Sequence, residues 1–340
     1  MGSYLSDHAP GRVMSILCML VLLSACTTTR PGYDTPEYNN ANYAAFVVNN
    51  RQDEFSRFAP VFIPAGRNSS FNRIGNPEAS QNSDGREVIR VDPDEASVFV
   101  DRQYFSTERG RYTNLIYRIH FEKTPFSLLP FHLTAGKNNG LLAIITLDAS
   151  SKPILLTTVH TCGCYLAFTP TSFMPGEYHP DDWTSGSQDV YGMSLPGQLE
   201  FSEPFDPEQR FAIFLQEETH RVMDIDVQTL QQVRSHNPVI PLEIAPVDDL
   251  RSLPLGDSGN TTSFFETEGD RKGYVKGAYK PFERLFMSWW SLDWRVGEDK
   301  AYGDRNETGT VFYTSLKPWN RYESDMWPFA DFLEFWGWGL

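Results

Sequence analysis

The sequence predicts a mainly β protein, an antiparallel sandwich- or barrel-like fold with short amphipathic, aromatic-rich helices near its C-terminus. Three observations carry that expectation. Apolar and polar residues alternate with a period of two within the stretch from residue 56 to 235. Gly and Pro punctuate the short apolar runs there, as they do in sandwiches and barrels. After about residue 280 the spacing of aromatic residues shifts to three and four, the helical period.

Taken along the chain, residues 87–91 and 98–100 are the first strand-sized runs. In Asn114-Leu115-Ile116-Tyr117-Arg118-Ile119-His120-Phe121-Glu122, the residues Leu115, Tyr117, Ile119 and Phe121 share one face. Arg118, His120 and Glu122 share the other, which predicts a strand with one buried side and one solvated or hydrogen-bonded side. Residues 141–147 and 154–159 flank Asp148-Ala149-Ser150-Ser151-Lys152-Pro153, a turn-forming link, and predict a hairpin. Residues 165–169, 211–215 and 221–227 supply further strands, and 227–233 reads as a helix.

The tail differs. Pro281 sits where a first helical turn tolerates proline, and Phe282, Leu285, Phe286, Trp289 and Trp290 follow at i, i+3, i+4, i+7 and i+8. Phe329, Phe332, Leu333 and Trp336 repeat the pattern, with Gly337 placed to cap it. Helical spacing of this kind predicts aromatics packed onto the β body. A membrane-interface belt and a sugar-binding platform are the competing readings, and Asp293, Asp325, Asp331 and Glu334 count against the belt.

Composition sets the class. Hydrophobic residues make up 40% and charged residues 21% of the 340, which excludes wholesale disorder. The 29 Lys and Arg against 44 Asp and Glu give a net charge of −15, which argues against nucleic acid as a partner and against an electrostatic grip on anionic lipid. Four cysteines are too few for a disulfide-dense scaffold.

At the N-terminus, Arg12 precedes the apolar run from Val13 to Leu23, which is too short to span a bilayer. The run ends in Leu23-Ser24-Ala25-Cys26, which closely resembles the lipobox of bacterial lipoproteins. The resemblance covers residues 1–26. It implies that residues 1–25 are a signal peptide, that Cys26 is acylated, and that the chain meets the membrane through those acyl chains. Thr27 stands where Asp would signal inner-membrane retention, so the resemblance implies the periplasmic side of the outer membrane. Residues 26–55, with their Thr- and Asn-rich stretches, read as the acylated cysteine and a flexible tether. Residues 56–340 read as a single large β-rich domain, aromatic and helical from about 280.

The densest reactive chemistry is His160-Thr161-Cys162-Gly163-Cys164. A Cys162–Cys164 disulfide is one reading; extended backbone sets residues two apart at the limit for a bridge, and Gly163 relaxes that limit. A zinc or copper site at His160, Cys162 and Cys164 is another, but a straight strand spreads them too far to share an ion. The chain must then bend at Gly163, or His120, His132, His179 or His220 must complete the site. A cysteine nucleophile activated by a histidine is the third. Gly163-Cys164 matches two residues of the L,D-transpeptidase signature, which carries no catalytic role over. No phosphate-binding loop, dinucleotide fingerprint or serine-nucleophile elbow occurs in the sequence.

These readings converge on a lipid-anchored envelope protein acting as a binding or assembly component for an envelope protein or ligand. The alternatives are a metal- or thiol-dependent redox protein using His160, Cys162 and Cys164, and an envelope hydrolase or transferase.

Overall fold

The computed structural model describes residues 42–49, 53–256 and 259–340. The lipobox, Cys26 and the signal segment lie outside the described residues. The protein is mostly β, as the period-two pattern predicts, with a few short helices gathered mainly in the C-terminal part.

The strands are β1 (Ala45–Val48), β2 (Val61–Pro64), β3 (Ile74–Gln81), β4 (Glu87–Asp92), β5 (Ser97–Ser106), β6 (Arg111–Thr124), β7 (Gly136–Leu147) and β8 (Pro153–His160). They continue with β9 (Ala167–Pro170), β10 (Ser187–Val190), β11 (Met193–Pro196), β12 (Gln209–Leu215), β13 (Val222–Thr229), β14 (Val239–Pro246), β15 (Leu253–Pro254) and β16 (Thr261–Thr262). Among the described residues the main sheet runs β13-β12-β2-β1-β14-β5-β6-β7-β8-β9, with β3 joined to β6 and β4 to β3. Most pairings are antiparallel, but β1–β14, β12–β2 and β14–β5 are parallel, so the sheet is mixed.

The sheet curls because its two ends contribute to one core. Leu115, Tyr117, Ile119 and Phe121 of β6 and Leu141, Ala143 and Ile145 of β7 bury against Phe46, Phe62, Phe211 and Ile213 from the other half. This inward face is the one the alternation of β6 predicts. The hairpin expected over 141–159 is present, with Ile145 opposite Leu156; Asp148 Oδ1 accepts from the Ser150 and Lys152 amides at 2.8 Å each and closes its turn.

Two expectations need correction. The first concerns the second face of β6, expected to be solvated or hydrogen-bonded: Arg118 and His120 are hydrogen-bonded to each other but are as buried as the apolar face opposite, not solvated. The C-terminal segments cover that side of the sheet, where Ile116, Leu142 and Ile144 pack against Phe312, Phe329 and Phe332. The second face of β6 carries the polar Asn114, Arg118 and His120, so the pattern separated the two faces but did not show that the second was covered as well. The second is the tether: within 26–55, Ala45-Phe46-Val47-Val48 is a buried strand paired with β2 and β14. Its four consecutive apolar residues show no alternation because neighbours cover both faces.

The two C-terminal helices behave differently. In the helix Phe329–Phe335, Phe329, Phe332 and Leu333 are buried in the core, as expected of its spacing. The helix Pro281–Ser291 is turned the other way. Its buried residues are Glu283, Ser288 and Ser291, while Leu285, Phe286, Trp289 and Trp290 face outward.

Candidate functional site

The link between β8 and β9 starts as a tight hairpin. The His160 amide donates to the Cys164 carbonyl at 2.9 Å and the Gly163 amide to the His160 carbonyl at 2.7 Å, leaving Thr161, Cys162 and Gly163 as a three-residue loop. Gly163 takes φ +90°, the positive-φ position such loops require, and a Cβ there would run into the Tyr313 carbonyl. The chain does bend at Gly163, and the bend brings the two cysteines together. The Cys164 amide donates to Cys162 Sγ at 3.4 Å, and the neighbouring Cys164 thiol interacts with the Cys162 sulfur. Both are free thiols; Cys162 is buried and Cys164 half-buried.

Around this loop lies a group of charged side chains that sequence reasoning missed. Lys300 Nζ donates to the Cys162 carbonyl at 2.6 Å and stands 4.1 Å above the Tyr313 ring. Lys280 Nζ is 3.0 Å from Asp299 Oδ2 and 4.0 Å from Glu283 Oε2. Asp299 Oδ1 accepts from the Thr161 hydroxyl in a short hydrogen bond and from the Gly140 amide at 3.3 Å. Arg118 donates from Nη1 to the Lys300 carbonyl at 2.9 Å and from Nε to His120 Nε2 at 3.0 Å. Every one of these charged side chains is buried.

Removing that much charge from water is costly unless it is compensated locally. Lys280, Lys300 and Arg118 outnumber Asp299 and Glu283, and the Cys162 thiol offsets part of the imbalance. Burial raises the Cys162 thiol, but the Cys164 hydrogen bond and the charges of Lys280 and Lys300 outweigh it and bring Cys162 to about 6. The same hydrogen bond, together with burial, pushes Cys164 well up, so the pair holds one proton between two sulfurs. Burial raises Glu283 to about 8 against the pull of Lys280, so it is a neutral acid at pH 7. Asp299 and the Cys162 thiolate then balance most of the cationic charge.

The histidines do not converge. His160 Nε2 faces the His220 carbonyl at 3.1 Å, and burial, with Lys280 nearby, lowers the ring to about 3. His220 stacks on Phe121 at 3.9 Å and is likewise held near 3 by burial. His120 lies between Arg118 and the edge of Phe264, 4.7 Å away. His132 is 3.2 Å from Glu218, and His179 packs against Trp338. Among the described residues, no group of three or more His, Cys, Asp or Glu side chains is arranged to hold a metal ion.

Lys280 and Glu283 belong to the start of the inverted helix, so its polar face is the roof of this ionic group. Its outer face continues into the loop after β6: Phe282 lies 5.1 Å from Phe126 and 5.0 Å from Phe131 between ring centres. Exposure reaches 73% at Trp289, 69% at Trp294 and 94% at Leu129, against 2% at Glu283. Arg284 spans Tyr279 and Trp294, 5.6 and 5.5 Å from their rings. At roughly 150–250 Å² per aromatic side chain, Phe126, Trp289 and Trp294 alone present about 300–500 Å² to water, and Leu128, Leu129, Leu285 and Leu292 extend the patch beyond what a monomer ordinarily shows.

Comparison with known proteins adds no family: no family model, no curated protein and no solved structure matches the chain.

Proposed function

We propose that this is a lipid-anchored envelope protein whose domain seats on the bilayer surface through the outward face of the Pro281–Ser291 helix and the loop around Phe131, and so acts as a membrane-apposed binding component. The observation that carries the reading is the inverted polarity of that helix, which buries Glu283, Ser288 and Ser291 and turns its Trp, Phe and Leu side chains to water.

An interfacial helix places Trp and Phe at the headgroup boundary and keeps its polar face away from the acyl chains; here the protein itself takes the polar face. The guanidinium of Arg284, laid across Tyr279 and Trp294, is positioned to reach headgroups from within the aromatic patch. The start of the described chain supports the same orientation. The Arg67 amide donates to the Asn42 carbonyl, Glu217 packs over Gly66, and Glu218 pairs with His132, the neighbour of Phe131. The chain therefore enters the domain at the end that bears the patch. Asn42 follows Cys26 by sixteen positions, a reach of at most about 55 Å, so an acylated Cys26 would hold that end near the bilayer.

The test uses the full acylated chain in neutral phosphatidylcholine vesicles carrying a diazirine-labelled lipid. Photolabelling is expected on peptides covering 126–131 and 281–294. Label confined to the N-terminal peptide, or exclusion of lipid from the patch by a bound protein, would overturn the reading in favour of a simple anchor or a protein partner.

A further inference from the structure

We propose that Cys162 and Cys164 form a reversible dithiol–disulfide couple, a redox site in the hairpin after β8 that exchanges with external disulfides. The inference stands independently of the bilayer reading.

The geometry carries it. The three-residue loop folds Cys164 back so that its amide lies 3.4 Å from Cys162 Sγ, so closing a bond between the two sulfurs needs a local change rather than a refolding of the segment. Gly163 supplies the backbone freedom, while the Tyr313 carbonyl packed against it fixes where the loop sits. The Lys280 and Lys300 ammonium groups favour a sulfur anion in the loop. A purely structural buried cysteine needs none of these features.

The two sulfurs have different tasks. Cys164 is half-buried and lies beside Tyr165 and the exposed Tyr191, whose rings meet 5.1 Å apart, so it is the sulfur an external disulfide can reach. Cys162 is 1% exposed and cannot meet a bulky disulfide directly.

Oxidation then runs in two displacements. As Cys164 attacks an external disulfide RS–SR, its proton passes to the Cys162 thiolate, one RS⁻ leaves, and a Cys164–SR mixed disulfide forms. That proton passes to the released thiolate. Cys162, again a thiolate, attacks Cys164 Sγ and expels the second RS⁻, which takes up a proton from water. The balance is two protein thiols, one proton-bearing and one ionised, plus RSSR and a proton, giving the Cys162–Cys164 disulfide and two RSH. Stabilising the reduced, ionised form makes the disulfide the more oxidising partner.

The experiment equilibrates the full chain in mixtures of reduced and oxidised glutathione, quenches with acid, alkylates, and weighs the peptide carrying both cysteines. The expected result is one two-electron transition between a doubly alkylated and an unalkylated peptide, the latter lighter by two hydrogens than the dithiol. Cys162→Ser is expected to trap a glutathione adduct on Cys164, and Cys164→Ser to form none. Two thiols that stay alkylatable at every ratio, or that oxidise only between chains, would overturn the proposal, and so would an adduct found on Cys162 in Cys164→Ser. The unsubstituted chain decides the first point even where a variant fails to fold.

Discussion

Replacing Lys280 by Met tests whether the buried ionic group holds the inverted helix in place. Lys280 Nζ stands 3.0 Å from Asp299 Oδ2, both side chains about 1% exposed. In the variant Asp299 keeps the Thr161 hydroxyl and the Gly140 amide but loses its only counter-charge within 4 Å among the described residues. Stripping one partner from a buried pair costs about 3–5 kcal/mol. Asp299→Asn is expected to cost about as much, because Lys280 would lose its nearest carboxylate and retain only the Cys162 thiolate and Glu283, a neutral acid 4.0 Å away. Domains of roughly 150–250 residues shift by about 2–4 °C per kcal/mol, and at the lower end of about 2 °C that suits this larger one each single variant should melt about 6–10 °C below the parent. The double variant leaves no orphaned charge, so it should recover most of that loss and show a coupling of several kcal/mol. Urea unfolding followed by tryptophan fluorescence measures all four proteins. Single-variant costs under about 1 kcal/mol, or costs that simply add, would refute the electrostatic reasoning.

Other outcomes follow from the same geometry. His160 and His220, held near 3 by burial, bind fewer protons folded than unfolded between about pH 3 and their ordinary 6.5; stability should therefore fall by several kcal/mol as pH drops through that window, read from urea midpoints. Glu283 has the opposite sign, its folded value of about 8 lying above the ordinary 4.5, so stability it contributes at low pH is lost as pH rises towards 8, and Glu283→Gln should gain on the parent at pH 8 relative to pH 5. Gly163→Ala should cost at least about 1–3 kcal/mol in the same assay, since it demands φ +90° and a Cβ against the Tyr313 carbonyl. Radiolabelled palmitate should enter the wild-type chain and not Cys26→Ala, and the variant should leave the lipid fraction after processing by signal peptidase is blocked at that cysteine and the signal is removed by other means.

The sequence made the β class legible because period-two alternation survives in strands that pack on even one face. Residues 114–122 and the hairpin of 141–159 could be placed for that reason. β1 could not, because Ala45 to Val48 is covered on both sides and carries no alternation. The cysteine pair was visible as a motif, but its surroundings were not. Lys280, Asp299 and Lys300 reach it from more than a hundred residues away, through the pairing of the Lys300 amide with the Thr161 carbonyl at 2.9 Å. A lysine directly before Pro281 and the Glu298-Asp299-Lys300 run look like ordinary surface charge in one dimension. The aromatic helix misleads for a related reason. Its spacing fixes that one face is apolar, but the direction that face points depends on whether the ionic group or the core claims the other side, and here Glu283 and Lys280 anchor the polar one inward.

Tryptophan quenching by lipids brominated along the acyl chain puts the bilayer reading to its sharpest test. The full acylated chain is bound to neutral vesicles and compared with the Trp289→Phe, Trp290→Phe, Trp294→Phe triple variant. With Trp289 and Trp294 each about 70% exposed in the free protein, they should dominate the quenchable emission, and most of the quenching should vanish in the triple variant while its urea midpoint stays within about 0.5 kcal/mol of the parent. Quenching that is absent, or unchanged by removing those three indoles, would contradict the account.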